Sequence, residues 1–158
     1  MAEDARAPMA KNAVYLEGLG PGVFYSVNYE RIIADVVAPR IGIGVLSVSA
    51  SDGSTSASAT QFSIPITVSY VGLRQGAHGF EAGAGATLIF ATGNAVNAGT
   101  SSSASGSAYG ATGFAGYRLH PVGGVGFQFR VGLGIQALFA GDSALIFPWP
   151  YLSVGGAF

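Results

Sequence analysis

Apolar and polar residues alternate with a period of two along most of this chain. In residues 127–139, every second position from Phe127 to Phe139 is apolar, and the positions between them hold mainly glutamine, arginine and glycine. This period is typical of a β-strand whose two faces meet different environments. The pattern recurs between turn sequences such as RQGAH and HPVGG. It predicts eight strands, at residues 12–20, 23–32, 40–50, 60–72, 78–92, 108–119, 125–139 and 149–158.

The connections between the predicted strands alternate in length. Those after the second, fourth and sixth strands include compact turns, whereas those after the third, fifth and seventh are mostly longer. Short periplasmic turns and longer extracellular loops are typical of a bacterial outer-membrane barrel. The GPG connection at residues 20–22 is an exception, since it is short where a long loop is expected. We expect the small, polar segment 93–107 to be a flexible, solvated loop.

Aromatic residues bracket the apolar face of several predicted strands. In strands four to seven, they lie about 8 to 12 residues apart, close to the 9–11 residues with which a tilted strand crosses a bilayer. This spacing predicts two aromatic girdles at the membrane interfaces and lipid as the partner of the apolar face. The periplasmic girdle would comprise Tyr29, Tyr70, Phe80, Tyr117, Phe127 and Phe158, and the outer girdle Phe62, Phe90, Tyr109 and Phe139.

Strands one and eight fit this scheme less well. Strand one has only a short apolar face. In strand eight, Trp149 and Tyr151 have the opposite parity to the other large apolar residues. Because Pro148 and Pro150 cannot donate backbone hydrogen bonds, a β-bulge there could reverse the facing of the strand.

The alternate face of the strands must fill the barrel lumen. It holds three acids and three bases, which are Glu17, Glu30, Arg40, Glu81, Arg118 and Arg130. Balanced charges allow each buried ion to find a partner, and the many neighbouring glycines leave room for long side chains. We expect an ionic plug near the periplasmic end, below a less polar, glycine-lined cavity. A purely structural ion-pair core is the favoured interpretation, and a gated polar path with exchanging pairs is the alternative.

The composition weighs against a water-soluble domain. Charged residues make up 9% of the 158 residues, against about 25% in an ordinary soluble domain. The main alternative fold, a soluble lipocalin-like barrel, would turn the large apolar sets inward and the arginines outward. A net charge of −1 does not suggest a nucleic-acid partner, and the absence of cysteine excludes a disulfide framework. The sequence contains no run of eighteen apolar residues, so we predict no transmembrane helix.

The sequence offers few residues for catalysis or metal binding. A hydrolytic site facing the outer leaflet would need a histidine near the longer loops, but His78 and His120 both lie beside predicted periplasmic turns. We interpret both as solvated turn residues. Asp52 and Asp142 lie in separate loops, so we expect no metal site. We therefore predict no catalytic residues, no cofactor and no enzymatic activity.

The first predicted hairpin, NAVYLEGLGPGVFYSVNYERI at residues 12–32, contains a Tyr-x-x-Asn-Tyr-x-Arg pattern at Tyr25, Asn28, Tyr29 and Arg31. It resembles the first hairpin of uncharacterised bacterial outer-membrane barrel proteins. From residue 12 to residue 158, the architecture resembles the class that includes the OmpA transmembrane domain and OmpX. The resemblance implies that the barrel-assembly machinery reads the terminal aromatic, here Phe158, although Gly156 stands where a second aromatic is common.

The sequence thus predicts a disordered segment of the mature chain over residues 1–11, followed by one transmembrane domain over residues 12–158. We expect a monomeric, eight-stranded, antiparallel up-and-down β-barrel in a Gram-negative outer membrane, with both termini in the periplasm. Its expected role is structural or in surface interaction, without catalysis. A narrow channel or carrier for small solutes is the alternative, and a lipid-modifying enzyme is the third possibility, which the histidine positions disfavour.

Overall fold

The computed structural model describes residues 7–158, and its strands close into a single barrel in which each strand pairs antiparallel with its neighbour along the chain and β1 pairs with β8. The prediction of an all-β, eight-stranded, antiparallel up-and-down barrel is therefore confirmed. No helix within residues 7–158 is long and apolar enough to cross a membrane. The strands are β1 (Asn12–Leu19), β2 (Tyr25–Arg31), β3 (Val37–Asp52), β4 (Thr55–Gln75), β5 (His78–Asn97), β6 (Thr100–Leu119), β7 (Gly126–Ala140) and β8 (Ser143–Ala157).

The two ends of the barrel differ. The start of β1, the end of β8 and the connections at residues 32–36, 76–77 and 120–125 lie at one end, which we call the turn end. The other end, the hairpin end, has the connections at residues 20–24, 53–54, 98–99 and 141–142. Four strands extend furthest toward the hairpin end and form a continuous sheet, which we call the protruding sheet: residues 47–52, 55–60, 91–97 and 100–107.

Segment 93–107, which we expected to be a flexible loop, belongs to this sheet. The β5–β6 pairing continues without a break to Asn97 and Thr100. Two-residue turns close the hairpins, with Gly53 and Gly99 at φ values of 56° and 85°, a region that glycine adopts without steric cost. Our expectation was wrong because a segment rich in serine and alanine is as compatible with a β-strand as with a loop. Composition alone does not distinguish the two.

The two faces of the strands are divided as the alternation predicts. Large apolar side chains point outward and stay exposed, with Val27 at 51%, Ile43 at 54% and Leu133 at 59% of their full surface. Polar residues of the opposite parity, such as Asn28 and Gln128, are buried inside the barrel. The lipocalin-like alternative is therefore wrong, since it requires the reverse arrangement.

Strand β8 contains no bulge at its prolines. Its register with β7 runs unbroken from Gly126–Ala157 to Ala140–Ser143, so Trp149 and Tyr151 face the lumen. The pairing of β8 with β1 ends at Tyr151. Residues 148 and 150 lie beyond that point, where β8 lacks a partner on the β1 side and proline is tolerated. The irregular register lies in β4 instead, between Tyr70 and Leu73.

Part of the N-terminal segment that we expected to be disordered is bound to the barrel. Residues 1–6 lie outside the described residues. Residues 7–11, which we call the strap, cross the turn end, where Met9 pairs with Val122 and the Ala10 amide donates to the Pro121 carbonyl at 3.0 Å. The Met9 side chain packs in a small core with Ile32, Ala38 and Val71. The expectation was wrong for residues 8–11 because backbone and side-chain partners offset the entropic cost of ordering them.

Candidate functional site

The charged residues predicted for the lumen lie together inside the barrel. Each of the six is at most 3% exposed. Their strands are β1, β2, β3, β5, β6 and β7, while β4 and β8 add Thr67 and Tyr151 to the same network. Every strand of the barrel therefore contributes a polar side chain to one buried cluster. We call this cluster the lumen network; its charged members are Glu17, Glu30, Arg40, Glu81, Arg118 and Arg130.

Arg40 and Glu17 form one part of the lumen network. Arg40 Nη1 donates to Glu17 Oε2 at 2.8 Å and to the Tyr15 hydroxyl at 3.1 Å. Arg40 Nε donates to Thr67 Oγ1 at 2.8 Å, and the guanidinium lies 5.4 Å from the ring centre of Phe114. The buried cation thus has both charged and neutral acceptors, which reduces the penalty of removing it from water.

Two arginines face each other in the other part of the network. Arg118 and Arg130 are direct cross-strand partners on β6 and β7 and both point inward. Like charges in this position repel each other. Glu81 offsets the repulsion because it accepts from Arg118 Nη1 at 3.2 Å and from Arg130 Nε at 2.8 Å. Glu30 adds a second carboxylate, whose Oε2 lies 3.2 Å from Arg118 Nη1.

Two tyrosines belong to the network but were missed in the sequence analysis. Arg130 lies between the rings of Tyr15 and Tyr151, 5.0 Å and 5.7 Å from their centres. The Tyr15 hydroxyl accepts from Arg130 Nη1, and the Tyr151 hydroxyl donates to Glu81 Oε1 at 2.7 Å. Tyr15 shares its parity with Glu17, and this was the signal that could have identified it.

His120 is not the solvated residue that we expected. It is 2% exposed. Its Nδ1 lies 2.9 Å from Arg118 Nη2, and its Nε2 lies 2.9 Å from the carbonyl oxygen of Ala10 in the strap. Burial lowers the pKa of His120, and the neighbouring Arg118 charge lowers it further. His78 is exposed, with Nδ1 2.6 Å from the Tyr117 hydroxyl.

The hairpin end of the lumen is closed by the first connection. Residues Gly20–Gly22 form a short 3-10 turn, η1, and all three are buried. Three strands bind this segment, since Thr87, Ser63 and Trp149 donate to the carbonyls of residues 21, 22 and 23 at 2.6, 2.9 and 3.1 Å. The GPG sequence is therefore short because it folds back into the barrel, where we expected a glycine-lined cavity.

The ten aromatic residues of the predicted girdles all lie on the outward-facing side of their strands or at a strand end. Eight are exposed, and Phe62 and Phe139 are half-buried. Tyr109 and Phe139, on neighbouring strands, are stacked with ring centres 5.1 Å apart. These positions bracket the apolar band formed by the outward side chains. Within residues 7–158, no group of three or more histidine, cysteine or carboxylate residues is placed to hold a metal ion.

The fold is similar to that of solved outer-membrane barrels. No protein-family model and no curated protein sequence matches the chain. The crystal structure of Ail, the attachment invasion locus protein of Yersinia pestis, matches with a TM-score of 0.57 at 11% identity, covering 94% of this chain and 99% of Ail. A second Ail structure, in complex with the heparin analogue sucrose octasulfate, matches with a TM-score of 0.60 at 9% identity and the same coverage.

The N-terminal β-barrel domain of Pseudomonas aeruginosa OprF matches with a TM-score of 0.48 at 16% identity, again covering 94% of this chain and 99% of that domain. At these identities, the similarity concerns the fold. The strand count, closure and facing described above agree with the fold of the Ail structures. The chain has the fold of a small outer-membrane β-barrel of the OmpA and OmpX class.

Proposed function

We propose that the protein is an integral outer-membrane barrel that acts through its protruding sheet at the cell surface, without catalysis and without transport through its lumen. The observation that carries this proposal is the protruding sheet itself, which continues beyond the outer aromatic residues with open edges. In this orientation, the turn end and both chain termini face the periplasm, and the exposed Phe158 is available to the barrel-assembly machinery during insertion.

The outer surface supports a membrane location. Exposed aliphatic side chains such as Val27, Ile43 and Leu133 would be costly in water but favourable in the hydrocarbon core of a bilayer. The strands form a closed ring, so their backbone groups pair from strand to strand around the barrel, as a bilayer requires.

The interior supports a sealed barrel and weighs against the channel or carrier alternative. The strap covers the turn end, the lumen network fills the middle, and η1 occupies the hairpin end. An eight-stranded barrel is just wide enough for its interior to be filled by side chains. Ions in the lumen network also have partners on several strands at once, so one pair cannot open without disturbing the others.

The protruding sheet has two free edges. Strand β2 pairs with β3 no further than Ile43, and β7 pairs with β6 only from Tyr109. Residues 45–52 and 100–108 therefore have backbone groups on one side without a strand partner. Natural proteins protect such edges with lysine or proline, and neither occurs in these two segments. We infer that an extended segment of a partner protein adds to one of these edges by backbone hydrogen bonding.

The charge distribution narrows the partner class. All seven lysine and arginine residues of the chain lie at or before position 40, at position 74, or at positions 118 and 130. None belongs to the protruding sheet or to the hairpin-end turns. Polysulfated ligands such as the one in the Ail complex require basic groups, so we expect an uncharged peptide strand to bind here instead of an anionic polysaccharide.

A displayed random-peptide library, selected on the protein in lipid nanodiscs, tests this proposal. The matched control shortens both long hairpins to the level of Phe62 and Phe90 with Asn-Gly turns, leaving the barrel intact. We expect enrichment of uncharged peptides with a period-two apolar pattern, and loss of their binding to the shortened variant. Failure to enrich any peptide, or equal binding to both proteins, would contradict the proposal.

A further inference from the structure

The strap is fastened to the turn end at two separate places. On one side, the Ala10 carbonyl meets His120 Nε2 at 2.9 Å, and the Gly123 amide donates to the Pro8 carbonyl at 2.9 Å. On the other side, Asp35 accepts from the Met9 amide at 3.3 Å and from Lys11 Nζ at 2.7 Å, and Arg74 Nη2 donates to the Ala7 carbonyl at 3.0 Å. The strap therefore has a neutral attachment at His120 and an ionic attachment at Asp35.

His120 is enclosed by one donor, the Arg118 guanidinium, which requires an unprotonated Nδ1, and by two acceptor oxygens, those of the Gln128 side chain and the Ala10 carbonyl. Arg118 of β6 lies at its Nδ1, Gln128 of β7 lies 3.0 Å from the same atom, and the strap carbonyl lies at Nε2. The acids Glu30 of β2 and Glu81 of β5 lie beyond Arg118 and are bonded to it. Since a guanidinium can only donate, Nδ1 must accept from Arg118, and the ring proton on Nε2 is donated to Ala10.

We propose that the strap is an acid-released latch and that His120 is the group that releases it. A proton added to Nδ1 turns this acceptor into a donor, so that two cations face each other at the Arg118 contact. The imidazolium moves away from Arg118 and withdraws its Nε2–H from the Ala10 carbonyl. Pro8 and Ala10 detach from Gly123 and Pro121, while Asp35, Arg74 and β1 still hold the rest of the strap.

The two attachments respond to pH in different ranges. Partial burial acts to raise the pKa of Asp35, but the hydrogen bond and charge of Lys11, the Met9 amide and the Arg74 charge outweigh it and lower that pKa. Asp35 therefore stays ionised in mildly acidic solution. His120 has a lowered pKa in the closed form, so the closed form binds fewer protons than the open form. Closure is complete above the ordinary histidine pKa of about 6.5 and is lost as the pH falls below it toward the lowered value.

Release changes the surface of the turn end without opening a pore. It loosens the strap at Pro8 and Ala10 and uncovers His120. The η1 segment still occupies the hairpin end of the lumen. Acidity on the side of the turn end therefore exposes His120 beneath a loosened strap.

Spin labels test the latch directly, because the chain contains no native cysteine. We would label Pro8→Cys in the strap, where the substituted residue keeps the carbonyl that binds Gly123, and Asp142→Cys in an exposed turn at the opposite end. The distance distribution between the labels is measured by pulsed electron paramagnetic resonance at about pH 7.5 and about pH 5, on either side of the ordinary histidine pKa. We expect one narrow distribution at the higher pH and a broader one at the lower pH, because the carbonyl of residue 8 then no longer binds Gly123.

Two substitutions distinguish the protonation of His120 from other effects of low pH on the strap. His120→Gln keeps one acceptor and one donor without titrating, so its distribution should stay narrow at both pH values. His120→Lys carries a permanent charge and should be broad at both. The proposal is overturned if the wild-type distribution does not change with pH, or if the His120→Gln protein broadens in acid. If His120→Lys fails to fold, the His120→Gln result decides alone.

Discussion

At the level of single residues, the lumen depends on the sharing of charges. Six ions are buried where water cannot solvate them, and each is stabilised by contacts to at least one ion of opposite sign. Glu81 is the clearest case, since it contacts Arg118, Arg130 and Tyr151. Without Glu81, two adjacent buried guanidinium groups would share only the remaining carboxylates.

Glu81→Gln should therefore destabilise the protein strongly. Loss of one partner of a buried ion pair costs about 3–5 kcal/mol, and here it also leaves the facing arginines less well neutralised. The free energy of unfolding, from urea titrations of the protein refolded into lipid vesicles, measures the effect. Asp142→Asn in an exposed turn is the matched loss of one carboxylate and should change stability by no more than about 0.5 kcal/mol.

The double variant Glu81→Gln with Arg130→Met tests whether charge balance is the cause. It removes one acid and one base, so part of the lost stability should return relative to Glu81→Gln alone. If the two losses simply add, the sharing of Glu81 between the arginines does not matter for stability, and our account of this part of the network is wrong.

Residue parity in the sequence identifies all six charged lumen positions, because a charge on the lipid face would be prohibitively costly. The same parity places Tyr15 on the lumen face, but it does not reveal the role of Tyr15 or Tyr151, and it does not identify His120. A tyrosine is compatible with either face of a strand, and only its hydroxyl partners, Arg130 and Glu81, reveal its role. His120 follows the last residue of β6, beyond the reach of strand parity, and is buried by the strap.

At the level of elements, η1 is where the chain departs most from an ordinary hairpin. Leu19 and Val23, on either side of it, have φ values of 61° and 77°, which are unfavourable for residues with a β-carbon. Side chains of β4, β5 and β8 hold the neighbouring carbonyls and offset this strain. We infer that closure of the hairpin end is a built-in feature of the fold.

Gly20→Ala should cost more stability than Gly53→Ala. Both glycines have positive φ, 68° and 56°. Each substitution should therefore lower the free energy of unfolding by a similar amount, about 1–2 kcal/mol, because alanine is disfavoured in this backbone conformation. A β-carbon at position 20 would also lie 2.8 Å from Glu17 Oε1 and 3.0 Å from the Tyr151 β-carbon, whereas position 53 is open. Urea titrations of the two variants give the difference, and equal losses would show that η1 is not tightly packed against the lumen network.

The number and order of strands were predictable because eight apolar alternations are separated by turn sequences. The length of the strands was not predictable, since the serine and alanine residues of segment 93–107 are compatible with either a strand or a loop. The inward fold of GPG was also not predictable, because its partners Ser63, Thr87 and Trp149 are distant in the sequence.

At the level of the whole molecule, charged residues and exposed apolar residues occupy different regions. Acids and bases are concentrated in the lumen and at the turn end, the apolar side chains form the outer band, and the protruding sheet is nearly free of charge. The lumen is closed by the strap at one end and by η1 at the other. A molecule built in this way acts at its surface.

Single-channel recording in planar lipid bilayers tests this central claim most directly. We expect the inserted wild-type protein to give no unitary current above the bare bilayer at neutral pH, because the strap, the lumen network and η1 together fill the path. Insertion is verified by reduced mobility of the folded protein in unheated gel samples. Stable, reproducible current steps from the verified wild-type protein would contradict the account and restore the channel alternative.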